Sequence, residues 1–185
     1  ENALESVQYN NTSHTPDLSA REIEFKVTDG ENVSDPIATT VTVVAMNDAP
    51  EVSVSPLEVD KDASYLEFNL TGSDTDSAID SFTIETLPDN GTLYLDSDLT
   101  QAVTTDTPIN ATGNETTLYF QPDYGNDGVN DSFGENWFSD NPEVSFTFHA
   151  TDNGSQGEEP VDSATATVNI TVDDVPFTYA DAGVE

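Results

Sequence analysis

Apolar residues recur two apart along short windows of this chain. They do so in Ile23-Glu24-Phe25-Lys26-Val27, at Phe82/Ile84, at Phe146/Phe148/Ala150 and at Val168/Ile170/Val172. Successive side chains of an extended strand point to opposite faces, so each window gathers its apolar residues on one face. The windows that read as strands are Leu4–Tyr9, Glu22–Thr28, Ile37–Ala45, Glu51–Val59, Tyr65–Leu70, Ser81–Leu87, Thr92–Leu95, Thr117–Phe120, Val144–Ala150 and Ala164–Val172. Each is rich in β-branched or aromatic residues and bounded by Asn, Asp, Gly or Pro. No window of about 11 residues or more holds a helical period, so almost no helix is expected. Many short strands with regular turns predict an all-β antiparallel sandwich.

Turn chemistry refines the picture. Asp89-Asn90-Gly91 lies between Ile84–Leu87 and Leu93–Leu95. Asn-Gly supplies the positive φ angles of a tight turn, so these two runs are expected to form a hairpin. A boundary falls at Asn47-Asp48-Ala49-Pro50, where Pro has no N–H to give a ladder and holds its predecessor extended. A weak internal repeat supports the cut. Phe25-Lys26-Val27-Thr28-Asp29-Gly30, then Ala38–Val43, then Asn47-Asp48-Ala49-Pro50 form one copy. Phe148-His149-Ala150-Thr151-Asp152-Asn153-Gly154, then Ala164–Val168, then Asp173-Asp174-Val175-Pro176 form the other. Each copy reads as strand, acidic loop, strand and acidic linker, spaced by about one sandwich domain, as in a tandem array.

Charge changes what this sandwich can do. The chain of 185 residues has 37 acidic and 3 basic side chains, a formal net charge of −34. Nucleic-acid binding needs Lys and Arg to displace counterions from phosphate, and Arg21, Lys26 and Lys61 do not supply that. Anionic membrane surfaces repel the chain for the same reason. No apolar run approaches the ~20 residues of a membrane-spanning helix, so no membrane insertion is expected. No stretch reads as a signal peptide, so any export signal is expected to lie outside these residues. Like charges at this density repel in the compact state, so bound cations or high salt must offset them. With no cysteine, disulfides and thiolate metal sites are excluded, and multivalent metal at carboxylates is one other staple.

These residues also carry a family resemblance. The chain resembles the cadherin-like tandem-repeat modules of large calcium-dependent (RTX-type) bacterial adhesins. It does so through the repeat above, through Pro88-Asp89-Asn90-Gly91-Thr92-Leu93 and through Tyr119-Phe120-Gln121-Pro122-Asp123. The resemblance implies an Ig/cadherin-like sandwich with one complete domain over 47–175 and an insertion at about 123–143. Residues 1–46 then look like the C-terminal half of a preceding repeat. Residues 176–185 look like the first strand of the next repeat, or a segment that pairs with 1–46.

The sharpest candidate chemistry is acidic. In a seven-strand sandwich the linker, the B–C loop and the F–G loop gather at one end. That end would collect Asn47, Asp48 and Glu51 with Asp74, Asp76 and Asp152. Ca²⁺ takes 6–8 oxygen ligands, and Ser73-Asp74-Thr75-Asp76 presents two carboxylates two apart. The resemblance implies Ca²⁺ there and at the next linker, Asp173 and Asp174. The alternative is a solvated acidic surface, since chance clusters arise among so many acids. A second candidate is the insertion, where Tyr124, Asp127, Asp131, Trp137 and Asp140 combine aromatic and polar groups suited to a peptide or glycan ligand. Its alternative is that Trp137 caps the sandwich core.

Enzyme readings are poor. Nucleophilic catalysis needs a base beside Ser or Thr, and only His14 and His149 are present. His149 alternates out of phase with its apolar neighbours and is expected to face solvent. No EF-hand loop, phosphate loop or zinc ligand set is present. The function expected is a non-enzymatic, monomeric calcium-binding module of a secreted bacterial cell-surface adhesin. It would support adhesion and biofilm attachment by stiffening an array of neighbouring repeats. The alternatives are a ligand-binding tip module using the insertion, and an accessory sandwich of a secreted polysaccharide-degrading enzyme.

Overall fold

A computed structural model describes residues 7–60, 63–122 and 143–173, and every described element is a strand. A hairpin comes first, β1 (Arg21–Phe25) with β2 (Ile37–Val41). Nine further strands follow: β3 (Glu51–Ser53), β4 (Leu57–Asp60), β5 (Leu66–Ser73), β6 (Ile79–Thr86), β7 (Thr92–Tyr94), β8 (Pro108–Asn110), β9 (Glu115–Gln121), β10 (Glu143–Asp152) and β11 (Ala166–Asp173). They form a five-stranded sheet in the order β4-β11-β10-β6-β8 and a four-stranded sheet in the order β3-β5-β9-β7. All pairings are antiparallel except β4 with β11, which is parallel. The architecture is the expected all-β sandwich of Ig/cadherin-like type. The β1–β2 hairpin is a separate two-stranded sheet.

The core lies between the two larger sheets. Phe82 and Ile84 of β6, Phe146, Phe148 and Ala150 of β10, and Val168, Ile170 and Val172 of β11 line one side. Phe68 and Leu70 of β5, Leu93 of β7, and Leu118 and Phe120 of β9 line the other. Phe82, Phe120, Phe146 and Phe148 are wholly buried, each such side chain stabilising the fold by about 1.5–3 kcal/mol. Phe146 bridges the layers, its ring centroid 6.0 Å from Phe68 and 6.4 Å from Phe148.

Three details differ from the sequence pattern. The expected Asn90-Gly91 hairpin does not form, because β6 pairs with β10 and β8 while β7 pairs with β9 in the other sheet. The turn is a crossover between layers. Gly91 has φ 113°, and a Cβ there would overlap the Phe120 ring and stand 2.7 Å from the Gln121 carbonyl oxygen. Space and backbone both demand glycine at this crossing. The single strand expected over Glu51–Val59 is two, since β3 and β4 lie in different sheets and Val54-Ser55-Pro56 carries the chain between them. Pro56 has no N–H for a ladder, which suits it to the switch. The third is β8, an edge strand opening on Pro108 that the pattern did not show. Tyr9 and its described neighbours form no strand. Residues 123–142 and 174–185 lie outside the described residues, with most of the insertion and the expected strand after Pro176.

Candidate functional site

The alternation of β10 decides the first contact. Phe146, Phe148 and Ala150 point into the core, and Asp152 ends the strand in the same phase, wholly buried. Its carboxylate is satisfied by donors from two segments. Oδ1 accepts from the backbone N–H of Gly154 (2.8 Å) and of Val161 (3.0 Å), closing the β10–β11 loop. Oδ2 accepts from Nδ2 of Asn47 in the linker (2.9 Å). A buried carboxylate that collects three donors fixes where the linker meets the sandwich.

Asn47 is thereby oriented. Its Nδ2 donates to Asp152 and also to the Glu159 carbonyl oxygen at 3.0 Å. Flipping the amide would set its oxygen against two acceptors, so the nitrogen belongs where it is. Asn47 Oδ1 then remains, buried and without a hydrogen-bond partner.

The β5–β6 loop supplies the rest. Asp74 Oδ1 accepts from the backbone N–H of Asp76 (2.9 Å) and Ser77 (2.7 Å), an Asx turn that folds the loop on itself. Burial pushes the Asp74 carboxyl up, but those N–H groups outweigh it and hold it below the ordinary aspartate value. Asp76 Oδ1 accepts a long bond from the Asp48 N–H, 3.4 Å, which ties loop to linker. Asn153 exchanges bonds with Ala78 (N to O 2.9 Å; Ala78 N to Oδ1 3.2 Å), tying the same loop to the end of β10. Three buried oxygens of this loop make no well-formed hydrogen bond, Asp74 Oδ2, Asp76 Oδ2 and Ser77 Oγ, although the Ser77 side chain stands near enough to the Asp74 carboxyl to help hold its pKa down.

Of the expected residues, Asn47, Asp48, Asp74, Asp76 and Asp152 are joined through these bonds. Asp48 Oδ2 is engaged by His14 Nδ1 at 2.6 Å. Glu51 opens β3 opposite Ser73 and is exposed. Asp173 ends β11 in register with Asp60 of β4. Asp174, Tyr124, Asp127, Asp131, Trp137 and Asp140 lie outside the described residues. Ser77 was not among the expected ligands; the signal for it is the Asp74 Asx turn, which aims its third residue back at the loop. His149 is less open than its phase predicts. Its ring keeps 20% exposure and its Nδ1 meets Glu85 Oε1 at 2.8 Å.

The chemistry of this end is oxygen-only. Among the described residues no three His, Cys, Asp or Glu side chains stand together as a metal-holding group. What the end offers instead is two carboxylate oxygens, an amide oxygen and a hydroxyl, all buried and unpartnered. A buried polar atom left without a partner costs about 1–3 kcal/mol, and three of these four have no hydrogen to share. Only a donor or a hard cation satisfies such a set, and mixed carboxylate, amide and hydroxyl oxygens suit Ca²⁺.

Comparison with known proteins adds little. No family model matches the chain, and no curated protein matches it. Among solved structures, the crystal structure of human mucin-like protocadherin EC1-2 is similar over 85% of this chain and 71% of that chain, at 19% identity and TM-score 0.39. At that level the sandwich assignment rests on the strand pairings themselves.

Proposed function

We propose that this chain is a non-enzymatic calcium-binding module of a large secreted bacterial adhesin, in which Ca²⁺ at the linker end stiffens the joint between successive domains. The observation that carries this reading is the set of unpartnered buried oxygens, Asn47 Oδ1, Asp74 Oδ2, Asp76 Oδ2 and Ser77 Oγ. Asn47 belongs to the linker and the other three to the β5–β6 loop, so one ion shared among them would fasten linker to sandwich. These residues would hold it, and the ion would supply the positive charge that two adjoining carboxylates lack. Asp152 acts from behind, orienting Asn47 so that its oxygen is the atom left free. Placement at a bacterial surface, and a role in adhesion and biofilm attachment, rest on the resemblance of the repeat sequence to RTX-type adhesin modules. The high negative charge supports a setting rich in cations.

Thermal melts in Ca²⁺, matched Mg²⁺, high NaCl and EDTA test the reading. An ion bound only by the folded state stabilises it by about 2.7 kcal/mol at a hundred times Kd. A rise specific to Ca²⁺ is expected. Equal stabilisation by NaCl would reduce the effect to charge screening and defeat the proposal.

A further inference from the structure

The hairpin at 21–41 and the last two strands of the sandwich share more than a sequence motif. In the hairpin, Ser34 N donates to the Val27 carbonyl oxygen (2.8 Å), Val27 N to Ser34 Oγ (3.0 Å), and Ser34 Oγ to the Asp35 carbonyl oxygen (3.0 Å). In the sandwich, Ser163 N donates to the Ala150 carbonyl oxygen (2.8 Å), Ala150 N to Ser163 Oγ (3.0 Å), and Ser163 Oγ to the Ala164 carbonyl oxygen (3.0 Å). The isolated bridge Thr28–Val33 answers Thr151–Asp162. The loops match too. Asp29 Oδ1 accepts from the N–H of Glu31 and Asn32, and Asp29 N donates to the Asn32 carbonyl oxygen. Asp152 Oδ1 accepts from the N–H of Gly154 and Val161, and Asp152 N donates to the Val161 carbonyl oxygen. Six hydrogen bonds and one bridge therefore repeat, pair for pair. The strand registers agree, since Phe25 opposes Ile37 as Phe148 opposes Ala166.

The equivalence says what the hairpin's faces are for. Ile23, Phe25 and Val27 stand where Phe146, Phe148 and Ala150 fill the core. Ile37, Val41 and Val43 stand where Ala166, Ile170 and Val172 do. Two positions depart, Arg21 for Val144 and Thr39 for Val168, the first capped by the Tyr9 ring 5.7 Å from its guanidinium carbon. In the sandwich this surface is covered by β5 and β9, β6 pairs beside β10, and β4 pairs in parallel beside β11. On the hairpin this surface is covered only in part among the described residues: Val27 is 65% exposed and Ile37 73%, while Ile23, Phe25, Val41 and Val43 are half-buried. A second copy of this chain does not supply the missing strands, because its own β3–β9 already hold its own β10 and β11.

We infer that residues 21–46 are the closing hairpin of a second sandwich, covered in the full polypeptide by a half-sandwich encoded upstream of Glu1. The covering strands would repeat the places of β3–β9. One would pair antiparallel on the outer edge of β1 and one parallel on the outer edge of β2, edges that carry no strand among the described residues, and an apolar sheet would lie over Phe25, Ile37 and Val41. Asp29 then takes the place of Asp152, with its carboxylate turned to the linker that leads into that sandwich. This inference does not rest on calcium.

The test is amide hydrogen exchange on two proteins, the 185-residue chain and its natural N-terminal extension by one further sandwich. In the short protein the amides of 21–41 are expected to exchange near the rate of an open chain while those of β10 and β11 are slow. In the extended protein they are expected to slow by roughly a hundredfold or more, as strands joining a core do. Ile37→Asp should leave the melting of the short protein unchanged and destabilise the extended one. Strong protection of 21–41 in the short protein, whether as monomer or as a dimer by sedimentation, would overturn the inference. So would unchanged exchange in the extended protein, or indifference of its stability to Ile37→Asp.

Discussion

Replacing Asp152 by alanine removes an acceptor shared by three donors at the end of β10. Two are the loop N–H groups of Gly154 and Val161, and the third is the Asn47 amide from the linker. Hydrogen bonds to a charged group contribute about 1.5–3 kcal/mol each, and the donors left behind stand partly buried at the loop, where water replaces the carboxylate only in part. Removal of the charge relieves its own desolvation, which offsets part of the sum. The expected net loss is about 3–5 kcal/mol. For a chain of this size each kcal/mol moves the melting temperature by about 2–4 °C, so the drop should be roughly 6–20 °C. Urea unfolding monitored by far-ultraviolet circular dichroism should show the midpoint fall with its slope unchanged. Asp29→Ala is the internal control. It removes the same loop bonds from an exposed copy of the motif and should leave the sandwich transition where it was. If Asp152→Ala unfolds within about 0.5 kcal/mol of the parent, the range of a surface change, the reasoning is wrong.

Two other outcomes follow from single positions. Gly91→Ala should cost about 2–4 kcal/mol in denaturant titration, combining a positive φ with overlap against Phe120, whereas Gly113→Ala, with no atom within 4 Å of its new Cβ, should cost clearly less. The Glu85 carboxyl, hydrogen-bonded to His149 and to Thr165 Oγ1, is held below its ordinary value of 4.5. A depressed folded pKa adds stability that is full above the unfolded value and fades as pH falls through the folded one. Stability measured from pH 6 downward should therefore drop below about pH 4.5, and Glu85→Gln should make that acid limb shallower.

Much of the fold is legible because a buried strand face demands strict alternation. Phe146/Phe148/Ala150 and Val168/Ile170/Val172 announce their strands and their inward side. The pattern does not say which sheet a strand joins. Asn90-Gly91 looks the same in a hairpin as in a crossover, and only the crowding against Phe120 separates the two. Register was also beyond reach. The sequence repeat sets Ala38 against Ala164, but the repeated hydrogen bonds set Ser34 against Ser163 and Ile37 against Ala166, three residues away. Thr-rich strands such as Ile37–Val41 specify register weakly, because a slip changes little of their burial pattern. At the site, topology alone was enough to draw Asn47, Asp48, Asp74, Asp76 and Asp152 to one end. Which of their oxygens are consumed by N–H donors and which stay open is set by the Asx turn and the loop closure. Composition carries no trace of that.

Calcium at the linker end is tested most directly by a calorimetric Ca²⁺ titration of the parent chain beside Asp74→Asn/Asp76→Asn. These substitutions keep the loop's shape and one acceptor oxygen each while removing both charges. The double variant is expected to melt at or above the parent's temperature in EDTA, relieved of repulsion, and to bind one ion fewer per chain. Equal stoichiometry and affinity in the two proteins would contradict it, and would return the linker end to an acidic surface that holds no ion.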